Sequence, residues 1–249
     1  MVEDDMLFGE IPCKIMRNRD TNESLTFLPS LGGKTQGLRL VDPSTGRLRD
    51  VLLTHRNASE VRSNTGWVGA QLIPYANRIR NGTYVLNGKK YYLERNEDRG
   101  RFGKIALHGY LYDKQMTIST IYTDDFQASV TMTYDFDGSD EGYPFLLSVE
   151  LTLTLTSSGL NITTTARNQM TNGQPIPFYN GWHSYFKVSD ISKASIEFDP
   201  CTAWNHINVT VGFFLFFRFH TTLTLSQTER KQRVFRSDSH GIHRTVDKI

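Results

Sequence analysis

Between Phe145 and Thr156 the chain reads FLLSVELTLTLT. Phe145, Leu147, Val149, Leu151, Leu153 and Leu155 share one phase, and Ser148, Glu150, Thr152, Thr154 and Thr156 share the other. In an extended chain successive side chains point to opposite faces, so this run is a strand with one face on a core and the other toward water. A helical period of 3.6 would scatter the same leucines around a cylinder. The pattern recurs on both sides. Ala128, Val130, Met132, Tyr134 and Phe136 alternate with polar residues in ASVTMTYDF, and Leu160, Ile162, Thr164 and Ala166 keep phase after the turn residues SSG. Earlier, TYVLNGKKYYL places Asn87-Gly88 between two strand-like runs. Asn-Gly accepts the positive φ angles of a type I′ turn, which predicts a hairpin. No long amphipathic helix and no internal repeat accompany these strands. The expectation is an all-β fold of antiparallel sheets packed face to face.

A chain of 249 residues suits one large β domain. Texture is uniform until TAWNHINVT, after which alternation stops. VGFFLFFRF, from Val211 to Phe219, is nearly all apolar but far shorter than the roughly 20 residues of a membrane-spanning helix. The stretch that follows is polar and basic. The chain is therefore divided into a β-sandwich domain over residues 1–210 and a divergent tail over 211–249. A formal net charge of +2 gives no strong field toward nucleic acid or an anionic membrane, and neither is expected as a partner. Two cysteines, Cys13 and Cys201, build no disulfide framework. The first residues, MVEDDMLFGE, lack the apolar core of a signal peptide, so the expected location is the cytoplasm.

The chain has no glycine-rich phosphate loop, no G-x-S-x-G elbow and no H-E-x-x-H pair, and its histidines are not at metal-ligand spacing, so no metal site is expected. Three segments instead set polar groups among apolar ones. GAQLIPYANRIRNGTYVL carries Asn77 and Arg78; ALHGYLYDKQ carries His108; PFYNGWHSYF carries His183, flanked by Trp182, Tyr185 and Phe186. Aromatic rings beside imidazole, guanidinium and amide groups suit a sugar, whose C–H faces stack while its hydroxyls take forked hydrogen bonds. Histidine exchanges a proton near neutrality with little tuning. Each residue also has a plainer reading. His183 is either a site residue or a core histidine bonded to backbone, and His108 either a ligand or the cap of a strand. Arg78 is either a ligand or a solvated charge. Tyr75, Tyr84, Tyr91 and Tyr92 read as sheet packing.

YANRIRNGTYVLNGKKYYL, ALHG, YPF before a long alternating strand, and GWHSYF follow the order of the aldose 1-epimerase (mutarotase) family, and the chain resembles that family from about Phe8 to about Thr210. The resemblance implies a large antiparallel β-supersandwich, truncated at its C-terminal side, that interconverts the α and β anomers of a free hexose without metal or cofactor. By the same resemblance His183 is the general acid at the ring oxygen and His108 its partner in holding and polarising that region. Arg78 is a ligand of sugar hydroxyls, with Asn77 beside it. Alternatives of the same fold are a hexose-6-phosphate 1-epimerase and a sugar-binding protein without turnover. The family's general base is a glutamate more than a hundred residues beyond the H-x-Y-F motif, whereas 66 residues (249 − 183) follow His183 here. Glu229 lies in unmatched context, and residues 211–249 are expected to be foreign to the family.

Overall fold

The computed structural model describes residues 2–98, 100, 103–188, 190–193, 236–237 and 243–244. Expectations placed on Glu229 and on the character of residues 211–249 lie outside the described residues. Only the antiparallel pair Arg236–Ser237 and His243–Arg244 falls in that stretch. The chain divides into two compact units. Residues 2–187 carry the first; the described part of the second is residues 188 and 190–193 with that strand pair.

In chain order the first unit comprises β1 (Val2–Phe8), β2 (Ile11–Arg17), β3 (Ser24–Leu28), β4 (Lys34–Val41), β5 (Leu48–Asp50), helix α1 (Ala58–Ser63), β6 (Gln71–Leu72), β7 (Arg78–Ile79), β8 (Thr83–Leu86), β9 (Lys89–Tyr92), β10 (Glu97–Asp98), β11 (Lys104–Leu107), β12 (Thr117–Thr123), β13 (Gln127–Asp137), β14 (Leu146–Thr156), β15 (Gly159–Asn168) and β16 (Gly181–Trp182). One sheet has the order β1-β2-β3-β4-β5, a second β12-β13-β14-β15 and a third β10-β11-β7; β8 pairs with β9 and β16 with β6. Among the described residues every pairing between these strands is antiparallel; a single bridge outside them, Ile73 to Gly109, is parallel. The all-β expectation holds, and α1 is the one α-helix among the described residues.

The alternating runs form the second sheet in the register their phases require. Val130 faces Leu153 and Met132 faces Leu151 across β13 and β14, while Leu153 faces Ile162 across β14 and β15. Val130, Met132, Val149, Leu151 and Leu153 are sealed from solvent, in one cluster with Met16, Leu25 and Phe27 of the first sheet. Burying one such side chain contributes about 1.5–3 kcal/mol, an upper figure because an unfolded chain already hides part of that surface. Between β8 and β9, Asn87 and Gly88 have φ of +49° and +77°, the expected hairpin turn. Tyr75 and Tyr84 are buried, and Tyr91 stacks on Tyr84 with ring centres 5.0 Å apart. Tyr92 departs from the packing expectation. It occupies the solvent phase of its two-stranded ribbon, 65% exposed, with the Lys90 ammonium 5.2 Å over its ring. Among the described residues no helix is long and apolar enough to cross a membrane.

Candidate active site

The site is built where the ends of β11 and β16 meet two loops. His108 directly follows β11 and holds a left-handed conformation, φ +65°. Gly109 comes next at φ +73°, and a Cβ there would lie 2.2 Å from the carbonyl oxygen of Ile73. That oxygen accepts the N–H groups of Tyr110, at 2.8 Å, and Leu111, at 3.0 Å. The glycine of LHG is therefore a steric requirement, because the chain runs against backbone that Ile73 provides.

Asn77 clamps the His108 ring. Its N–H donates to His108 Nδ1 at 3.0 Å, and its carbonyl accepts the His108 N–H at 3.2 Å. With Nδ1 occupied as an acceptor, the proton of the neutral ring sits on Nε2. His183 directly follows β16. Its N–H donates to the Ala70 carbonyl and its own carbonyl accepts the Gly69 N–H, both at 2.9 Å, which extends the β16–β6 pairing by one step. This anchoring brings the His183 ring edge-to-face with His108, centroids 5.1 Å apart and planes at 86°.

Two aromatic residues flank the pair. Trp67 lies 4.8 Å from His108 at 65°, and also packs on Tyr112 at 4.5 Å. Tyr185 stacks on His183 at 5.2 Å and 25°, its hydroxyl donating to the Gly66 carbonyl at 3.0 Å. Trp182 is not part of this wall. It precedes His183 in the chain and so points to the opposite face; its Nε1 donates to Thr35 Oγ1 at 2.9 Å, and its ring packs with Phe186 against the core.

Arg78 opens β7, opposite Leu107 in the ladder with β11. Its guanidinium forks onto Glu97, Nε to Oε2 at 2.7 Å and Nη2 to Oε1 at 2.8 Å, while its backbone N–H donates to Asn77 Oδ1 at 2.9 Å. Asn77 thus orients both neighbours, His108 through backbone and Arg78 through its amide. Glu97, on β10, carries no sequence signal beyond a lone charge.

The charges of the site bear on one another. Burial pulls the His108 pKa from 6.5 to about 4, helped by His183 and Arg78 and opposed by the Glu97 carboxylate. Burial lowers His183 as well, with a hydrogen bond to its own backbone opposing. His183 is only partly buried, whereas His108 is 8% exposed. Two imidazolium rings this close repel, so the pair takes one proton most readily, and the less buried His183 is the better holder. Hydrogen bonding to Glu97 holds the Arg78 guanidinium further up its range. Among the described residues no three metal-binding side chains gather. A groove of about 370 Å³ between Cys13, Pro29 and Met116 shares no residue with the histidine cluster.

The antiparallel β fold is shared with solved structures of galactose mutarotase-like proteins. A galactose mutarotase-like protein from Clostridium acetobutylicum superposes with a TM-score of 0.67 at 22% identity, covering 84% of this chain and 62% of the other. An aldose epimerase homologue from C. elegans gives 0.59 at 21%, covering 74% and 54%. The sequence pattern of the family described as aldose 1-epimerase matches residues 20–218, and the chain belongs to that family. Galactose mutarotase of Sus scrofa is 32% identical over 153 residues, 61% of this chain and 41% of that protein. That of Mus musculus is 30% identical over 197 residues, 76% and 53%. The chain thus spans about half or less of the length of these relatives.

Proposed function

We propose that the chain binds a hexose across the His108–His183 pair and interconverts its anomers. The observation that carries this reading is the unequal histidine pair. Asn77 ties off Nδ1 of His108, which leaves that ring a fixed neutral donor through Nε2, while His183 remains free to change charge. Ring opening breaks the C1–O5 bond and places charge on O5. A proton from His183 neutralises it, the Nε2–H of His108 polarises the same region, and a base removes the proton of the C1 hydroxyl. The aldehyde turns about C1–C2, and the reverse steps close the ring on its other face. Arg78 and Asn77 hold hydroxyls, and Trp67 and Tyr185 offer faces for the sugar's C–H groups. No metal or cofactor enters this scheme. An acid or base so placed contributes about 10²–10⁴-fold.

A second reading, binding without turnover, is favoured by one observation. The carboxylate felt by His108 is that of Glu97, and both its oxygens are engaged by Arg78. A carboxylate held in that fork is a weak base. Proton exchange NMR on glucose, galactose and glucose 6-phosphate distinguishes these readings and the phosphorylated substrate. Anomer exchange above the uncatalysed rate, lost about a hundredfold or more in His183→Asn, is the expected result. Sugar binding with no exchange selects the second reading, and undiminished exchange in a folded His183→Asn protein overturns the role of His183.

A further inference from the structure

Three consecutive polar side chains at the start of β4, Lys34, Thr35 and Gln36, are 1%, 0% and 5% exposed. A strand normally sends alternate residues to water, but pairing with β3 is irregular here: Thr26 faces Gly37 and Phe27 faces Thr35, which leaves Gln36 as the extra residue of a bulge. Each of the three holds a different piece of the site. Lys34 Nζ donates to Asn64 Oδ1. Thr35 donates its N–H to the Gly69 carbonyl at 3.0 Å, and its hydroxyl accepts Trp182 Nε1. Gln36 Nε2 donates to the His55 carbonyl at 2.7 Å.

The loop they support carries Trp67. Asn64 ends α1 in the left-handed region, φ 50°, and its carbonyl accepts the Trp67 N–H at 3.0 Å. Gly66 and Trp67 follow at φ +68° and +57°. His55 Nε2 donates to the Thr65 carbonyl at 3.0 Å, and Tyr185 to that of Gly66. A tryptophan with positive φ is held against its own preference by its surroundings. Lys34 is the costly member of that support, because among the described residues its buried ammonium has no carboxylate partner and rests on its hydrogen bond to Asn64.

We propose that the buried tripeptide Lys34–Thr35–Gln36 is the positioning element of the site, and that Lys34, acting through Asn64, sets the placement of Trp67 against His108. Lys34 is a positioning residue. It meets the loop from beneath, and the contact of Trp67 with sugar rests on the function proposed above. Burial alone brings the Lys34 pKa from 10.5 to about 8, so its charge changes in an accessible range. Among the described residues His55 feels the Lys34 charge and is lowered by burial, Glu60 beside His55 is lowered by hydrogen bonds from Arg56, and Tyr112, packed on Trp67, is raised above its ordinary 10 by burial; none of them titrates near pH 8.

The test is fluorine NMR of the full chain labelled with 5-fluorotryptophan, with Trp67 assigned by Trp67→Phe and Trp182 by Trp182→Phe. The wild-type Trp67 resonance is expected to titrate with a midpoint near pH 8. In Lys34→Met it is expected to be displaced at every pH and to lose that transition, while the Trp182 resonance stays in place. Lys34→Arg should restore the low-pH position without the transition. General loosening of the fold would move both tryptophans. A wild-type Trp67 signal flat from pH 6 to 10, or one unchanged in Lys34→Met, overturns the proposal, and the first measurement needs no variant. Adding glucose or galactose separates the two readings. A Trp67 signal that titrates but ignores hexose leaves Lys34's role standing and removes Trp67 from sugar binding. A hexose-induced shift is expected, at an apparent affinity about tenfold weaker in Lys34→Met.

Discussion

Acidification should destabilise this protein, and His108 should supply a separable share of the loss beside those of His55 and His183. In the folded chain burial, with His183 and Arg78, holds the His108 ring at a pKa of about 4; unfolded, it returns to its ordinary 6.5. Between those values the unfolded state binds more protons. The His108 share of stability is therefore full above about pH 6.5, declines as the pH falls toward about 4, and is lost to a constant extent below. About two and a half pH units at about 1.4 kcal/mol each give about 3.5 kcal/mol in full, of which about 3 kcal/mol is lost by pH 4, a sizeable part of the 5–15 kcal/mol of a typical domain. Exposure does little to screen this figure, since the residue is 8% exposed. The assay is urea unfolding of wild type and His108→Gln at about pH 7.5 and about pH 4. Glutamine does not titrate, and its carbonyl can accept the Asn77 N–H in place of Nδ1. Wild type should lose about 3 kcal/mol more than the variant over that interval. Long-range proton–nitrogen NMR should find Nδ1 unprotonated and Nε2 protonated from pH 8 down to about 5. A His108 ring that titrates near 6.5, or carries its neutral proton on Nδ1, would refute both the energetic argument and the fixed-donor role.

Three further outcomes are expected. Gly109→Ala puts a methyl 2.2 Å from the Ile73 carbonyl at a positive φ and should cost at least about 3 kcal/mol in chemical denaturation, close to abolishing the fold of the site. Arg78→Lys should change stability by less than about 1 kcal/mol, because the Arg78–Glu97 pair is partly exposed, yet weaken hexose binding about tenfold or more by removing the planar fork; urea unfolding reads the first and calorimetric titration the second. Lys34 should add stability between about pH 8 and 10.5, by up to about 3 kcal/mol, as the unfolded chain holds a proton that the buried amine has released, against an opposing loss from Cys13 and from Tyr75, Tyr84, Tyr110 and Tyr143, whose pKa values burial raises. The difference between wild type and Lys34→Met across a pH series of unfolding curves isolates the Lys34 contribution and should grow by that amount over the window.

The second sheet was legible because its information is local. The leucine–threonine alternation in β14 fixes which face is buried, and a slip of one residue would turn all the leucines to water. The Asn87-Gly88 turn was legible for the same reason, since two residues carry the whole conformational demand. The candidate site was legible only in part. His108 and His183 announce themselves as histidines among aromatics, but 75 positions separate them, and nothing in either segment says that their rings meet at 5.1 Å. Trp67 sits in SNTGWVG, where an aromatic between glycines is the one local signal. Glu97 and Lys34 are single charges in their segments, with no local pattern that marks them.

By itself, then, the sequence determined the strand period, the hairpin, the phases of the core and the four polar residues Asn77, Arg78, His108 and His183 as candidates, because each rests on neighbours a few positions away. Only the tertiary structure decided that Trp67 rather than Trp182 faces the pair, and that Asn77 fixes the tautomer of His108. It alone engaged Arg78 with Glu97 and gave Lys34 a place beneath the site. Those outcomes depend on which strand ends and loops are brought together, and a side chain's pKa and hydrogen bonds follow from the burial and partners it finds there, which no local pattern encodes.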